Sequence, residues 1–348
     1  MPKTIKEIAQ DTGYSRTTVT LVINGKADEY RISPKARAVI ENYIAEHGYR
    51  YNQAARSLKL ARSNTIALIV PDIANAFFAR VTAELERLCR AKGYVLVTTS
   101  SGENPAVERI ALENFVARGI DGIVLTPSEP RRRPASGTVK SGPPMVLIDR
   151  RFEGDEGFFV SSNHFESAQT LTSALIEAGA RNISFLTGSE SNPTTLQRIS
   201  GFSNATAKQS DRERRFAVRS IDSDTEEGGR RLMSDLLEAG PGLPDSLIFG
   251  SLLIFNGAMR EIRARYGAIP PALMVGTFAY SEVLDYMPNP VYVVRQDERA
   301  IARHAFESLE RLMQKTPQIA SHVFVPTELL HFGTHRRSDK STPSLAKV

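Results

Sequence analysis

The chain of 348 residues has no tryptophan, a single cysteine and six histidines. One thiol cannot close an internal disulfide, and no group of Cys and His has metal-ligand spacing, so neither a disulfide framework nor a bound metal is expected. Cys89 lies in LERLCRAKGY, where helical spacing turns it toward a core as a small hydrophobe. No apolar run reaches the roughly 18 residues that a membrane-spanning helix needs. The first ten residues, MPKTIKEIAQ, have no apolar h-region and no small-residue cleavage site, which points to the cytoplasm and away from membranes. Catalytic signatures are missing as well: there is no G-x-S-x-G, no H-E-x-x-H, no P-loop and no glycine-rich dinucleotide fingerprint. A binding protein is therefore expected, with no catalytic residue and no cofactor.

What is present is unevenly distributed charge. Residues 1–62 hold 11 Lys and Arg against 6 Asp and Glu, a net +5 that equals the formal charge of the whole chain. The remainder is neutral in sum. A small basic module facing a polyanion, joined to a neutral body that faces something else, fits this pattern.

Within the module, Thr4 precedes IKEIAQDTG with Glu7 at capping-box spacing, Ile5, Ile8 and Ala9 share a helical face, and Gly13 can end the helix in the left-handed region. Ser15 can cap a second helix whose Val19, Val22 and Ile23 face inward and which stops at Asn24-Gly25. Ser33-Pro34 then opens a third, with Ala38, Val39, Ile40, Tyr43 and Ile44 as its apolar stripe and Gly48 past its end. Two short helices joined by a tight glycine turn and closed by a third make a helix-turn-helix unit. Its second helix would expose Ser15, Arg16, Thr17, Thr18, Thr20 and Leu21. Arginine can take a guanine edge bidentately, threonine can reach bases or phosphates, and Leu21 can meet a thymine methyl.

TIKEIAQDTGYSRTTVTLVING, followed by ISPKARAVIENYIAEHGYRYNQAARSLKLARSNTIALIVPD, resembles the lactose/galactose-repressor family of transcriptional regulators. The extended loop KADEYRIS and the stretch YSRTTVTLVINGKA are closest to the fructose-repressor (catabolite repressor/activator) and sucrose-repressor branch, and the likeness runs over about residues 3–333. This resemblance implies DNA contacts from Thr4, Tyr14, Asn24 and Arg31 besides the second helix. It also makes NQAARSLKLARS a hinge helix, with Asn52, Ala55, Leu58 and Lys59 on the minor groove and Leu58 wedged between base pairs. Read from composition alone, the segment is a flexible basic linker.

From residue 64 onward, short apolar runs alternate with helical patterns in two series, from TIALIVPD to PPMVLIDR and from FFVSSN to ALMVGTF, before the chain returns through VYVVRQD and VPTELLHFG. Such alternation means parallel sheets covered by helices. The expected fold class is α/β: an N-terminal three-helix helix-turn-helix domain (1–51) plus a hinge helix (52–63), then two Rossmann-like lobes of periplasmic-binding-protein type (64–336). Lobe 1 is expected over 64–160 and 294–323, lobe 2 over 161–293 and 324–336, and a disordered tail over 337–348.

Ligands of such sheets sit beyond the carboxyl ends of strands, here in the cleft between lobes. The candidates are Asn75, Phe77, Phe78, Asp149, Arg150, Arg198, Ser251, Tyr280, Gln296 and Asp297. In the family, residues matching Asn75, Phe77, Asp149 and Arg198 shape the effector pocket, the arginine holding a hydroxyl pair or an anionic group. The sequence departs from the family at three places. A-N-D becomes Gly250-Ser251-Leu252, F-D-D becomes Phe278-Ala279-Tyr280, and the D-N near the start of the second lobe becomes Asn163-His164. A cleft with fewer carboxylates, and with the Tyr280 phenol stacking on a sugar, is the resulting expectation, and it makes room for a phosphorylated sugar. The resemblance thus implies a homodimeric repressor of carbohydrate genes that binds a pseudo-palindromic operator under control of a sugar or sugar phosphate. A DNA-binding protein whose body is instead a protein-interaction platform is the alternative, kept open by the weakened carboxylate set.

Overall fold

The computed structural model describes residues 2–49, 62–130, 142–211, 213–240, 242–316 and 321–333. Asn52, Ala55, Leu58 and Lys59 of the hinge, and the tail at 337–348, lie outside them. The chain divides into two compact units, Met1–Asn64 and Thr65–Val348.

The first unit holds three helices, α1 (Ile5–Thr12), α2 (Arg16–Ile23) and α3 (Pro34–His47). Thr4 and Glu7 close the expected capping box, and Gly13 ends α1 at φ 75, where a side chain would be strained. Ser15 and Ser33 cap the next two helices by accepting from the Thr18 and Ala36 amides. Ile8, Ala9, Val19, Val22, Ala27 and Ile40 form the buried core. The stripe expected on α3 is narrower than its sequence: Ala36 and Ile40 are buried, whereas Ala38 and Val39 face solvent. A 3.6-residue period cannot turn three consecutive residues inward, and Ile40 wins the core position.

The second unit contains two six-stranded sheets. One runs β11-β5-β4-β3-β1-β2 and the other β12-β10-β9-β8-β6-β7. The strands of the first are β1 (Thr65–Val70), β2 (Val95–Ser100), β3 (Gly122–Leu125), β4 (Met145–Ile148), β5 (Phe158–Ser162) and β11 (His322–Val325). Those of the second are β6 (Asn182–Thr187), β7 (Arg215–Ser220), β8 (Ser246–Phe249), β9 (Met274–Thr277), β10 (Val291–Arg295) and β12 (Glu328–Phe332). All pairings are parallel except β10 with β12. Helices α4 (Ala76–Ala91), α5 (Pro105–Ala117) and α10 (Glu298–Met313) serve the first sheet; α6 (His164–Glu177), α7 (Pro193–Ala207), α8 (Glu226–Ala239) and α9 (Leu252–Tyr266) serve the second. Each sheet is buried on both faces, which is why β1, β3 and β8, apart from Thr65 and Ser246 at their starts, run apolar rather than alternating. Cys89 is buried in the first core, where burial pushes its thiol up to about 12.

The chain passes between sheets three times, after Ser162, after Arg295 and after Val325. Each crossing falls about two residues beyond the lobe boundaries expected from the sequence. Two elements were not anticipated: β11, a short edge strand in the first sheet, and a 3-10 helix at Glu282–Tyr286.

Candidate functional site

In the first unit, α2 carries the expected polar face, though much of it is engaged within the helix. The Ser15 hydroxyl caps the Thr18 amide at 3.0 Å and shares a hydrogen bond with the Thr18 hydroxyl at 2.8 Å. Thr20 donates to the Arg16 carbonyl at 2.7 Å. Thr18, Thr20 and Leu21 are half-buried, while Ser15, Arg16, Thr17 and Asn24 are exposed. Arg16 and Thr17 make no side-chain hydrogen bond among the described residues, so they are the groups on this helix left for an external partner. Thr4 is committed to its capping box. Tyr14 packs against the core, and Arg31 is exposed with its backbone at φ 52.

In the second unit, a cavity of about 480 Å³ opens between the two sheets. It lies at the carboxyl ends of strands from both, where the strand-end rule expects it. Asn75, Phe77, Asp149, Arg198, Ser251 and Gln296 all line it, together with Phe78 and Arg150. Tyr280 does not. Beyond the end of β9, Phe278 dives into the core, and the Tyr280 hydroxyl turns to donate to Asp285 on the 3-10 helix at 2.6 Å, with its ring against Phe332. Stacking of Tyr280 on a ligand is thus replaced by packing beside the cleft. Asp297 is likewise used locally, as the N-cap of α10.

Helix starts define much of the wall. Asn75, Asn192, Thr225 and Ser251, the N-caps of α4, α7, α8 and α9, all face the cavity. Four helix N-termini therefore bring positive partial charge to one space. The titratable side chains are mostly acidic: Asp72, Glu103, Asp149, Asp224 and Glu226 stand against Arg150 and Arg198. The expectation of a cleft poor in carboxylates is overturned. Leu252 stands where the family has an aspartate, but the neighbouring Ser251 hydroxyl donates to Asp224 at 2.5 Å, so a carboxyl arrives from a different loop. Glu103 and Asp224 were missed by the sequence reading although both follow strands, β2 and β7, and the strand-end rule extended to those two would have found them.

The two arginines have different surroundings. Arg150, buried, gives both terminal nitrogens to Glu103 at 2.7 Å each, and its Nε is 3.7 Å from Asp149. Burial alone would lower its pKa, but Glu103, with Asp149 and Asp224 adding to it, holds it above the ordinary value. Arg198 has no carboxylate within salt-bridge distance among the described residues. Its Nη1 donates to the Gly250 carbonyl at 2.7 Å, its Cζ lies 4.5 Å from the centre of the Phe278 ring, and its Nε is buried without a partner among the described residues. Burial pushes it down to about 10, which leaves it cationic at neutral pH.

Asp149 sits at the end of β4 with φ 66, and its carboxyl is raised by burial against the pull of Arg150 and Arg198. Crowding by protein likewise raises Asp224, although part of its surface still faces the cleft, with the Ser251 hydroxyl and Arg198 opposing the shift. Ser161, His164 and Asp149 also lie together, but not as a hydrolytic triad: Ser161 and Asp149 both face His164 Nε2, at 3.1 and 3.8 Å, while Nδ1 faces Arg198.

The comparisons with known proteins agree with this layout. Residues 4–52 match the family described as bacterial regulatory proteins, lacI family, and residues 66–317 match the periplasmic binding protein domain. The catabolite repressor/activator of Escherichia coli strain K12 is 31% identical over 304 residues, covering 87% of this chain and 90% of that protein. A fructose operon regulatory protein of Vibrio cholerae is 28% identical over 303 residues, covering 87% and 91%. Among solved structures, the Cra transcriptional dual regulator of Pseudomonas putida in complex with fructose 1-phosphate superposes with a TM-score of 0.70 at 25% identity, covering 78% of this chain and 99% of that one. No helix among the described residues is long and apolar enough to cross a membrane. With a helix-turn-helix unit ahead of two parallel-sheet lobes, and with these relatives along most of its length, the chain belongs to the lacI family of bacterial transcriptional regulators.

Proposed function

We propose that this regulator is a repressor of carbohydrate-metabolism genes, a homodimer on a pseudo-palindromic operator, released or retained according to a sugar or sugar phosphate in the inter-lobe cleft. The observation that carries the reading is Arg198: a half-buried, charged guanidinium with no carboxylate partner among the described residues, facing a cavity ringed by carboxyl groups and helix N-termini. Carboxylates such as Asp149 and Asp224 accept from sugar hydroxyls, while Arg198 and the N-termini favour one anionic group. A ligand with many hydroxyls and one phosphate satisfies both halves of the lining. The relative that holds fructose 1-phosphate makes that compound the first to try. Five carboxylates in the cleft also remove the motive for reading the body as a protein-interaction platform alone.

The cleft is read as a sensor rather than an active site. Its Ser-His-Asp group has the wrong pairing for hydrolysis, and Ser161 is buried. On the DNA side, Arg16 and Thr17 are the proposed base-reading residues, with Ser15, Thr18, Thr20, Leu21, Asn24 and Arg31 supporting or contacting the backbone. Asn52, Ala55, Leu58 and Lys59 are proposed to enter the minor groove.

The test uses the full chain and an operator recovered by selection from random duplexes. Retardation on that operator is expected to change at least tenfold with one of fructose, fructose 1-phosphate or other sugars and sugar phosphates. Arg198→Ala should abolish the response and leave ligand-free DNA binding intact. No response and no shift in melting temperature across the panel would overturn the sensor reading.

A further inference from the structure

Of the two cleft arginines, Arg198 has no carboxylate partner among the described residues, and what holds its guanidinium decides what it can recognise. Phe278 supports one face and the Gly250 carbonyl holds Nη1. The remaining terminal nitrogen, Nη2, lies 3.4 Å from Nδ1 of His164. That histidine opens α6 and is 2% exposed. A guanidinium only donates, so Nδ1 must accept, and the imidazole proton belongs on Nε2. From Nε2 the proton is offered to the Ser161 hydroxyl at 3.1 Å, and Ser161 in turn donates to the Asp149 carbonyl at 2.6 Å. The Thr194 hydroxyl reaches that same carbonyl at 3.2 Å from the start of α7.

The result is one directional chain of hydrogen bonds, Arg198 to His164 to Ser161 to Asp149. Arg198 and His164 stand on helices of the second sheet, and Ser161 and Asp149 belong to strands of the first or their ends. The chain therefore ties the cleft's cation to the opposite lobe. An aspartate in place of His164 would accept equally well but would neutralise Arg198. A neutral imidazole orients it and leaves its charge available.

We propose that His164 is a positioning residue for Arg198 which, granted that the cleft is the effector site, selects phosphorylated over neutral sugars by holding the guanidinium in place without cancelling its charge. A neutral ring suits this role. Burial, and after it the field of Arg198, holds the His164 pKa well below the ordinary value.

Asparagine and leucine have nearly the same shape, but only asparagine can present an acceptor where Nδ1 stands. Both substitutions lose the ring and its bond to Ser161. Calorimetric titration of the full chain with fructose 1-phosphate and with fructose separates orientation from mere packing. H164N is expected to stay within about threefold of wild type for fructose 1-phosphate. H164L should lose about tenfold or more for that compound, the scale of a hydrogen bond to a charged group, with fructose changed less than threefold. Equal losses in H164N and H164L, or none in either, would overturn the proposal. Should H164L fail to fold, H164D serves: its carboxylate would pair with Arg198 and cost about tenfold for the phosphate ester relative to H164N, whereas equal affinities of the two would refute a role in charge. If the wild-type chain binds no member of the sugar and sugar-phosphate panel, the effector reading fails and carries this inference with it; if it binds and the variants behave alike, only the inference fails.

Discussion

Arg150 and Arg198 line one cleft, yet among the described residues a carboxylate already answers the first and none answers the second. A ligand must displace Glu103 to gain a full pair with Arg150, but need displace no carboxylate to meet Arg198. Asp149 shows how position alters chemistry at the same scale. Its left-handed backbone, tolerable for an aspartate, turns its carbonyl toward the Ser161 and Thr194 hydroxyls while its carboxyl stays in the cleft. On the DNA side, Arg16 is exposed and unengaged, so Arg16→Ala should relax base choice at one operator position and cost about 1 to 3 kcal/mol in specific binding. Binding measured to an operator set varied base by base checks this, and a uniform loss across all sequences would make Arg16 a phosphate contact instead. Much of the cleft was legible from the sequence because Asp149, Ser251 and Gln296 stand within two residues of strand ends and Asn75 caps the helix that follows β1. Tyr280 stands beyond one too, but an aspartate on a 3-10 helix that has no periodic signature claims its hydroxyl.

At the scale of elements, caps and close approaches set the geometry. Helices α8 and α9 pack so tightly that a Cβ on Gly257 would come far inside van der Waals contact with the Glu226 carbonyl oxygen, and one on Gly229 would meet Ile254 backbone. Both glycines interrupt helices that would otherwise prefer alanine, and the backbone contact is the reason. Gly257→Ala should therefore destabilise the fold by about 2 kcal/mol or more, since the opposing atoms are backbone and cannot rotate away. A clear fall in melting temperature is expected; an unchanged or higher one would show that the helices separate freely. Because Glu226 and Ser251 begin the two helices, the same change should also weaken cleft binding. The helices were readable from Thr4, Ser15 and Ser33 and from their apolar stripes. Strand β11 was not: HVFV is short, mostly exposed at a sheet edge, and runs in sequence into the pattern of β12.

For the whole molecule, charge is segregated by unit. The net +5 of residues 1–62 beside a body with no net charge makes phosphate neutralisation the property of one end of the chain. Operator affinity of the dimer should fall on the order of a thousandfold between 50 and 200 mM salt, as for proteins neutralising about six or more phosphates. A shallow dependence in a salt titration would mean that few of these cations meet phosphate. The three crossings between sheets give the lobes a common seam, and a ligand that bridges Arg198 and Asp149 across it has a reason to prefer one lobe arrangement. That differential affinity is what coupling to DNA requires.

Local chemistry was enough to determine the helix-turn-helix unit, the alternation of strands and helices, and the segregation of charge, because caps, glycine turns, periodicity and net charge are properties of neighbouring residues. Which carboxylates ring the cleft, why Tyr280 leaves it, and how a histidine on one lobe ties an arginine to a carbonyl on the other were decided only by tertiary structure. Arg198 meets His164 across 34 positions and Arg150 meets Glu103 across 47, and even the short step from Tyr280 to Asp285 depends on an irregular 3-10 turn, none of which a periodic pattern encodes.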